Sequence, residues 1–339
     1  MTTESASALE TTLHEHVTRG ELAGLGALVW RPRQSIRTIA IRRRDVDRDL
    51  PVTRDTIFRI ASATKPITTV AALTLLDEAR FGLDDPITPG APEWIAKLAT
   101  LPLVDQPGAA FHYSISTDLL GFLLARIEGS TLEAVLGQRV LEPLGMHDTH
   151  FAVPHDKRHR RAALTGFDGA GHLTTLAVAP GGHALPERPD SMTFESAGQG
   201  LWTTADDYLA FARLFVGRGA VDGVRILRSD TCALMMSNQL TPRQRTDARM
   251  LGQAPFVKGH GYGMGVAVVM EPDHADVLRY RGGVGTIGWP GAYGTWWQAD
   301  PNDGSVLTYL SHNMVALSQL AEGIGLATWS AIATFHALA

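Results

Sequence analysis

The chain has 339 residues, 45% of them hydrophobic and 19% charged, with a formal net charge of −5. Such a balance excludes a disordered chain and provides for a large buried core. It leaves no basic surplus to neutralise phosphates, so no nucleic-acid partner is expected.

Met1–Ser5 lacks the basic-then-apolar pattern of a secretory signal. No apolar run reaches the roughly 18 residues that span a bilayer. A cytoplasmic chain with no membrane partner is expected. Leu9–Val17 predicts a short amphipathic helix. Gly24–Trp30 and Ile36–Ile41 predict strands, joined by a turn over Arg31–Gln34. Thr56–Ile60 is a short extended run leading into Ser62. The next helix is predicted from Ser62 to Arg80, and its Ile67, Val70, Ala71, Ala72, Leu73, Leu75 and Leu76 make it apolar on most sides. Pro66 is tolerated only in a first turn, which places Ser62 at the helix N-terminus. Gly82 is expected to end it.

Further helices are predicted over Glu93–Thr100, Thr117–Ile127, Leu132–Val140 and Ala205–Val216. The Gly-, Pro- and His-rich stretch His155–Asp190 reads as a long surface excursion. The single cysteine, Cys232, excludes an internal disulfide; within the apolar run Thr231–Met236 it reads as a buried small hydrophobe. From Gly261 the pattern turns to strands: Tyr262–Met270, Val277–Arg281, Tyr293–Ala299 and Val306–Ser311. Ala316–Leu338 predicts a closing helix. Strands at both ends with helices between predict an α+β fold with one antiparallel sheet assembled from both chain ends. The expected domains are 1–82 plus 237–339, sheet-bearing, and 83–236, mainly helical, with the active site in the cleft between them.

Several familiar signatures are absent. There is no Gly-x-Ser-x-Gly elbow, no Walker-type phosphate loop and no His-Glu-x-x-His zinc helix. Gly283–Gly288 matches Gly-x-Gly-x-x-Gly, but Trp289-Pro290-Gly291 and then a strand follow, where a dinucleotide site needs a helix. His155 and His159 are four apart, yet Arg158, Arg160 and Arg161 surround them, so a solvated basic loop is the better reading than a metal site.

Chemistry concentrates at Ser62-Ala63-Thr64-Lys65. Residues three apart share a helix face, so the hydroxyl and the amine can meet. A lysine amine accepts a proton only where its surroundings disfavour the ammonium form. The chain contains four lysines, Lys65, Lys97, Lys157 and Lys258, and arginine supplies the rest of its positive charge. Arginine stays protonated and could not serve. Ser-x-x-Lys alone is a common pairing, and a helix cap followed by an exposed lysine would explain it equally. Tyr113, at the predicted start of a helix, adds a second element. Gly288–Thr295, small residues entering a strand, adds a third, because glycine lets a ligand approach backbone amides closely.

On these blocks the chain resembles the class C β-lactamase and penicillin-binding-protein group of serine hydrolases. Within it, the chain is most similar to family VIII carboxylesterases and their acyltransferase relatives. The resemblance runs from about Gly24 to Leu310, over Phe58–Ile67, Leu83–Pro86, Tyr113-Ser114, Glu142–Met146, Gly200–Tyr208 and Gly288–Pro301. It implies a β-lactamase/transpeptidase-like fold and an acyl-enzyme on Ser62. Lys65 would accept the serine proton and Tyr113 would relay it. The amides of Ser62 and Ala292 would form the oxyanion hole, without metal or cofactor. Ile115 stands where many relatives carry asparagine, and Trp289-Pro290 stands where β-lactamases and peptidases carry Lys-Thr. Both departures disfavour β-lactams and D-amino peptides. With Gly291 beside them, Trp289 and Ile115 are the expected substrate-binding residues, with Trp289 as an apolar wall to which Trp202, Tyr293 and Trp296 could add. The implied partner is a small, neutral ester with an apolar acyl part. The alternatives are an acyltransferase, then a β-lactamase or D-amino-peptidase, then a binding protein on an inactive fold, which Ile115 alone supports.

Overall fold

Strands from opposite ends of the chain lie side by side in one sheet. The computed structural model describes residues 3–83, 98–176, 194–250, 254–256, 259–275 and 282–339. The sheet strands are β1 (Gly24–Trp30), β2 (Arg37–Asp45), β3 (Leu50–Pro51), β4 (His260–Tyr262), β5 (Ala267–Val269), β6 (Ile287–Gly291), β7 (Thr295–Ala299) and β8 (Val306–Ser311). Their order across the eight-stranded sheet is β4-β5-β6-β7-β8-β1-β2-β3, with antiparallel neighbours throughout. The join is β1 against β8, where Leu25 faces Ser311 and Trp30 faces Val306.

Period-two alternation sends successive side chains to opposite faces, and both faces are buried. Leu25, Ala27 and Val29 of β1 pack under helix α1 (Thr3–Thr18), while Leu28 faces the other way, toward α2 (Thr64–Asp77). On α1, Leu9, Leu13 and Val17 fall at helical spacing and are buried. Trp296 of β7 joins the α1 side and Trp297 the α2 side. Between the two sheet halves run α3 (Ser116–Glu128), α4 (Leu132–Leu136), α5 (Ala205–Val216) and α6 (Ser229–Met235). The closing helix α7 (Ala327–Leu338) covers the sheet beside α1. No helix among the described residues is long and apolar enough to cross a membrane.

Several elements differ from the sequence reading. The helix predicted over Ser62–Arg80 begins as a 3-10 turn, Ala61–Ala63, and its α part ends at Asp77. Ala79, not Gly82, stops it. Ala79 takes a φ of 55°, and Arg80 N–H donates to Leu75 O at 2.9 Å, a left-handed cap of the kind glycine usually provides. Tyr262–Met270 is not one strand but the hairpin β4–β5. Ala316–Leu338 is broken into Leu317–Ala321 and α7, because Gly323 and Gly325 turn left-handed between them. His155–Asp190, read as a surface excursion, contains a 3-10 turn (His155–Arg160) and a small hairpin, Thr165–Phe167 with Leu173–Thr175, whose first strand is buried. Residues 177–190 of that stretch, the strand Val277–Arg281 and most of the helix Glu93–Thr100 lie outside the described residues. Pro290 sits inside β6. Strand β5 pairs only with Ile287 and Gly288, so the amide that proline lacks is not asked for by that neighbour. Cys232 is buried in α6, and burial pushes its thiol up to about 11.

Candidate active site

The turn that carries Ser62 is clamped from three directions. Ile60 N–H donates to Leu201 O at 3.1 Å, and Leu201 N–H donates to Thr64 Oγ1 at 3.2 Å. The Tyr208 hydroxyl, wholly buried on α5, donates to Ala63 O at 2.8 Å. From β7, Thr295 Oγ1 donates to Ile60 O at 3.4 Å. Within this frame Ala61 is held at a φ of 42°, a left-handed conformation for a non-glycine residue. Such strain costs about 1–3 kcal/mol and persists only where the surroundings over-determine it.

The strand end of β6 closes on the same turn. A Cβ on Gly291 would overlap both Thr295 Oγ1 and Ile60 O. Only glycine allows this approach, which brings the exposed Ala292 up beside the Ser62 turn.

Lys65, on the first turn of α2, is buried at 5% exposure, which excludes the reading of a helix cap followed by an exposed lysine. Its Nζ donates to Gly198 O at 2.8 Å and to Ser62 Oγ at 3.4 Å. The Tyr113 ring lies beneath it, 4.7 Å from Nζ to centroid. The phenol oxygen accepts the indole N–H of Trp289 at 3.0 Å. Ser62, Lys65, Tyr113, Trp289 and Gly291 are therefore brought together. An amine within reach of a hydroxyl, flanked by a phenol, can move a proton on and off that hydroxyl.

The expected substrate wall is corrected. Trp289 is 1% exposed and packs against Tyr113 and Tyr262, with ring centroids 5.2 and 5.1 Å away. It backs the site and does not line it. Ile115 caps α3, is 39% exposed, and does not line the cavity beside Lys65. Trp202 stacks under Arg59, Tyr293 packs on Ala61, and Trp296 faces α7, so none of the three forms that wall.

The apolar surface comes from elsewhere. A cavity of about 500 Å³ opens beside Lys65 and Tyr113. Ala72 and Leu73 of α2 form one side, Phe111 and Leu120 a second, Tyr262 and Met264 of the β4–β5 hairpin a third. Its size falls within the range of pockets that hold small organic ligands. Sequence reading missed these residues because the cavity needs three separate chain segments. It also missed Asp118, an acid in the first turn of α3 that reads as an ordinary N-terminal helix charge but is 7% exposed. His155 and His159 are exposed on their 3-10 turn.

Comparison with known proteins bears on the family and the fold. The family profile described as Beta-lactamase matches residues 9–93 and 88–323. Protein Rv1367c of Mycobacterium tuberculosis is 37% identical over 91% of this chain and 90% of its own length. Esterase EstB of Burkholderia gladioli is 25% identical, covering 87% of each chain. Among solved structures, EstCE1, titled a hydrolase with promiscuous acyltransferase activity, superposes with a TM-score of 0.75 at 22% identity. It covers 97% of this chain and 99% of its own.

Proposed function

This chain belongs to the β-lactamase family, on the branch of serine hydrolases and acyltransferases, and we propose that it cleaves neutral carboxylic esters through an acyl-enzyme on Ser62. The observation that carries the reading is the buried Lys65 amine, 3.4 Å from Ser62 Oγ and stacked on Tyr113.

In the first step Ser62 Oγ bonds to the acyl carbon while its proton passes to Lys65 Nζ. The carbonyl π pair moves onto oxygen, facing the amides of Ser62 and Ala292. Collapse of that intermediate breaks the ester C–O bond, and the departing alkoxide takes a proton from the Lys65–Tyr113 pair. Water then adds to the acyl-enzyme with the same groups as base, releasing the acid and restoring Ser62. Two features support ester over β-lactam or peptide. Ile115 stands where many relatives carry an asparagine, and the buried, uncharged Trp289 stands where β-lactamases and peptidases carry a lysine, so the groups that would hold an amide and a carboxylate are missing. The apolar cavity supports substrates with a sizeable apolar part.

The test is steady-state kinetics on p-nitrophenyl esters and nitrocefin, with Ser62→Ala as control. The ester kcat/KM should exceed that for nitrocefin by about 100-fold or more. Nitrocefin turnover rivalling that of the esters, or ester turnover surviving in Ser62→Ala, would overturn the reading. A second reading, acyl transfer, draws support from the likeness to EstCE1, a hydrolase with promiscuous acyltransferase activity. Partition of the acyl-enzyme between water and added alcohols separates the two.

A further inference from the structure

A buried carboxylate stands behind Lys65, and the proton transfer proposed above makes no use of it. Asp118 Oδ1 accepts Gly198 N–H at 3.1 Å and the Ser196 hydroxyl at 2.7 Å. The next peptide along, through Gly198 O, is the acceptor of Lys65 Nζ. Thr68 Oγ1, one turn of α2 away from Lys65, pins the same segment by donating to Ala197 O at 2.9 Å. A methyl built on Gly198 would stand 3.0 Å from Asp118 Oδ2 and 3.3 Å from Lys65 Nζ. The carboxylate and the amine thus face each other across one glycine, both withdrawn from solvent.

The other ionisable groups around Lys65 cannot substitute for it. The loop before α3 presents the Tyr113 ring face and His112, which is exposed and held by Asp105 at 2.6 Å. The β4–β5 hairpin presents Tyr262. On the segment beside Gly198, Glu195 turns toward α4, where it accepts Glu133 N–H at 2.9 Å. Among these, Asp118 is the negative charge aimed at the amine. Water-poor surroundings strengthen its pull on the positive charge that forms when the serine proton arrives.

We propose that Asp118 is a positioning residue of the reaction: through Gly198 it fixes the acceptor that aims Lys65 at Ser62, and its charge stabilises the ammonium formed when the serine proton arrives. This rests on the reading of Lys65 as the proton acceptor. Asp118→Asn keeps an acceptor oxygen but removes the charge. Ser196→Ala removes one hydrogen bond but keeps the charge. The measurement is the pH dependence of kcat/KM for a p-nitrophenyl ester, with the pH dependence of fluorophosphonate labelling at Ser62 as a readout that needs a single half-reaction. Asp118→Asn should lower the plateau about tenfold and move the acid limb of both profiles down by about one pH unit. Ser196→Ala should leave that limb in place. An unmoved limb in Asp118→Asn, whether or not the rate falls, overturns the proposal. So does an equal displacement in Ser196→Ala, which would trace the effect to the segment and not to the charge. Gly198→Ala, which wedges a methyl between the two groups, should move the limb in the same direction as Asp118→Asn; a limb that stays put there also counts against it. Failure of the serine reading looks different: labelling at Ser62 would then be absent in the unmutated protein.

Discussion

The Trp289 indole donates its N–H to the Tyr113 phenol oxygen at 3.0 Å, so the phenol is an acceptor in this pair. A donor on that oxygen stabilises negative charge wherever it develops during proton relay. Trp289→Phe should therefore lower kcat about tenfold, the value of one such hydrogen bond. Tyr113→Phe should lose about 10²–10⁴. In the Tyr113→Phe background, the Trp289→Phe change should add little, because both act through one oxygen. Equal costs in both backgrounds would show that the indole acts by packing alone.

Gly291→Ala should lower kcat by about 10²–10³, the usual cost of a lost oxyanion donor. The new methyl must displace Ile60 O or Thr295 Oγ1, and either movement carries Ala292 away from the Ser62 turn. Ester kinetics beside a thermal melt distinguish this from unfolding: the loss of rate should far exceed the loss of stability.

Leu73→Trp fills the cavity from the α2 side. Acetate esters should be turned over within about twofold of normal, while esters of long apolar acids or alcohols should lose about tenfold in kcat/KM. A uniform loss across the series would mean that substrate does not enter the cavity.

His312 sets a pH limit on stability. It is buried, its Nε2–H donating to Arg43 O at 3.0 Å, and burial lowers its pKa to about 4. The unfolded chain takes up that proton near pH 6.5, whereas the folded chain resists it until about pH 4. The contribution is complete above pH 6.5 and is lost as pH falls through this window, to a total of roughly 3 kcal/mol. Urea unfolding at pH 7.5 and pH 4.5 should show the drop, and His312→Gln should reduce it. An identical drop in both proteins would assign the acid sensitivity to other groups.

The parts of this architecture carried by local pattern were readable in advance. β1, β8 and α5 have the residue ranges read from the sequence, because the two strands are short apolar runs buried on both faces and α5 buries a helical stripe. Ser62 and Lys65 could be named because Pro66 pins a helix start and because lysine is scarce; Tyr113 could be named from its place at a predicted helix start and from the family resemblance. The block Gly200–Tyr208 was visible as a motif, but its purpose was not: Leu201 and Tyr208 clasp the Ser62 turn across more than a hundred residues of chain. Trp289 shows the limit most clearly. Its apolar character suggested a wall for substrate, yet the partner of its N–H is set by how β6 meets the loop before α3, and no periodicity encodes that. Asp118 and the cavity were missed for the same reason.

The central claim is that Lys65 activates Ser62 for acyl transfer. Mass spectrometry of the peptide containing Ser62, after incubation with a fluorophosphonate, tests it directly. The account predicts a single adduct on Ser62 in the unmutated protein and slowing by about 10³-fold or more in Lys65→Ala. An adduct on another residue, or labelling of Lys65→Ala at the unmutated rate, would contradict it.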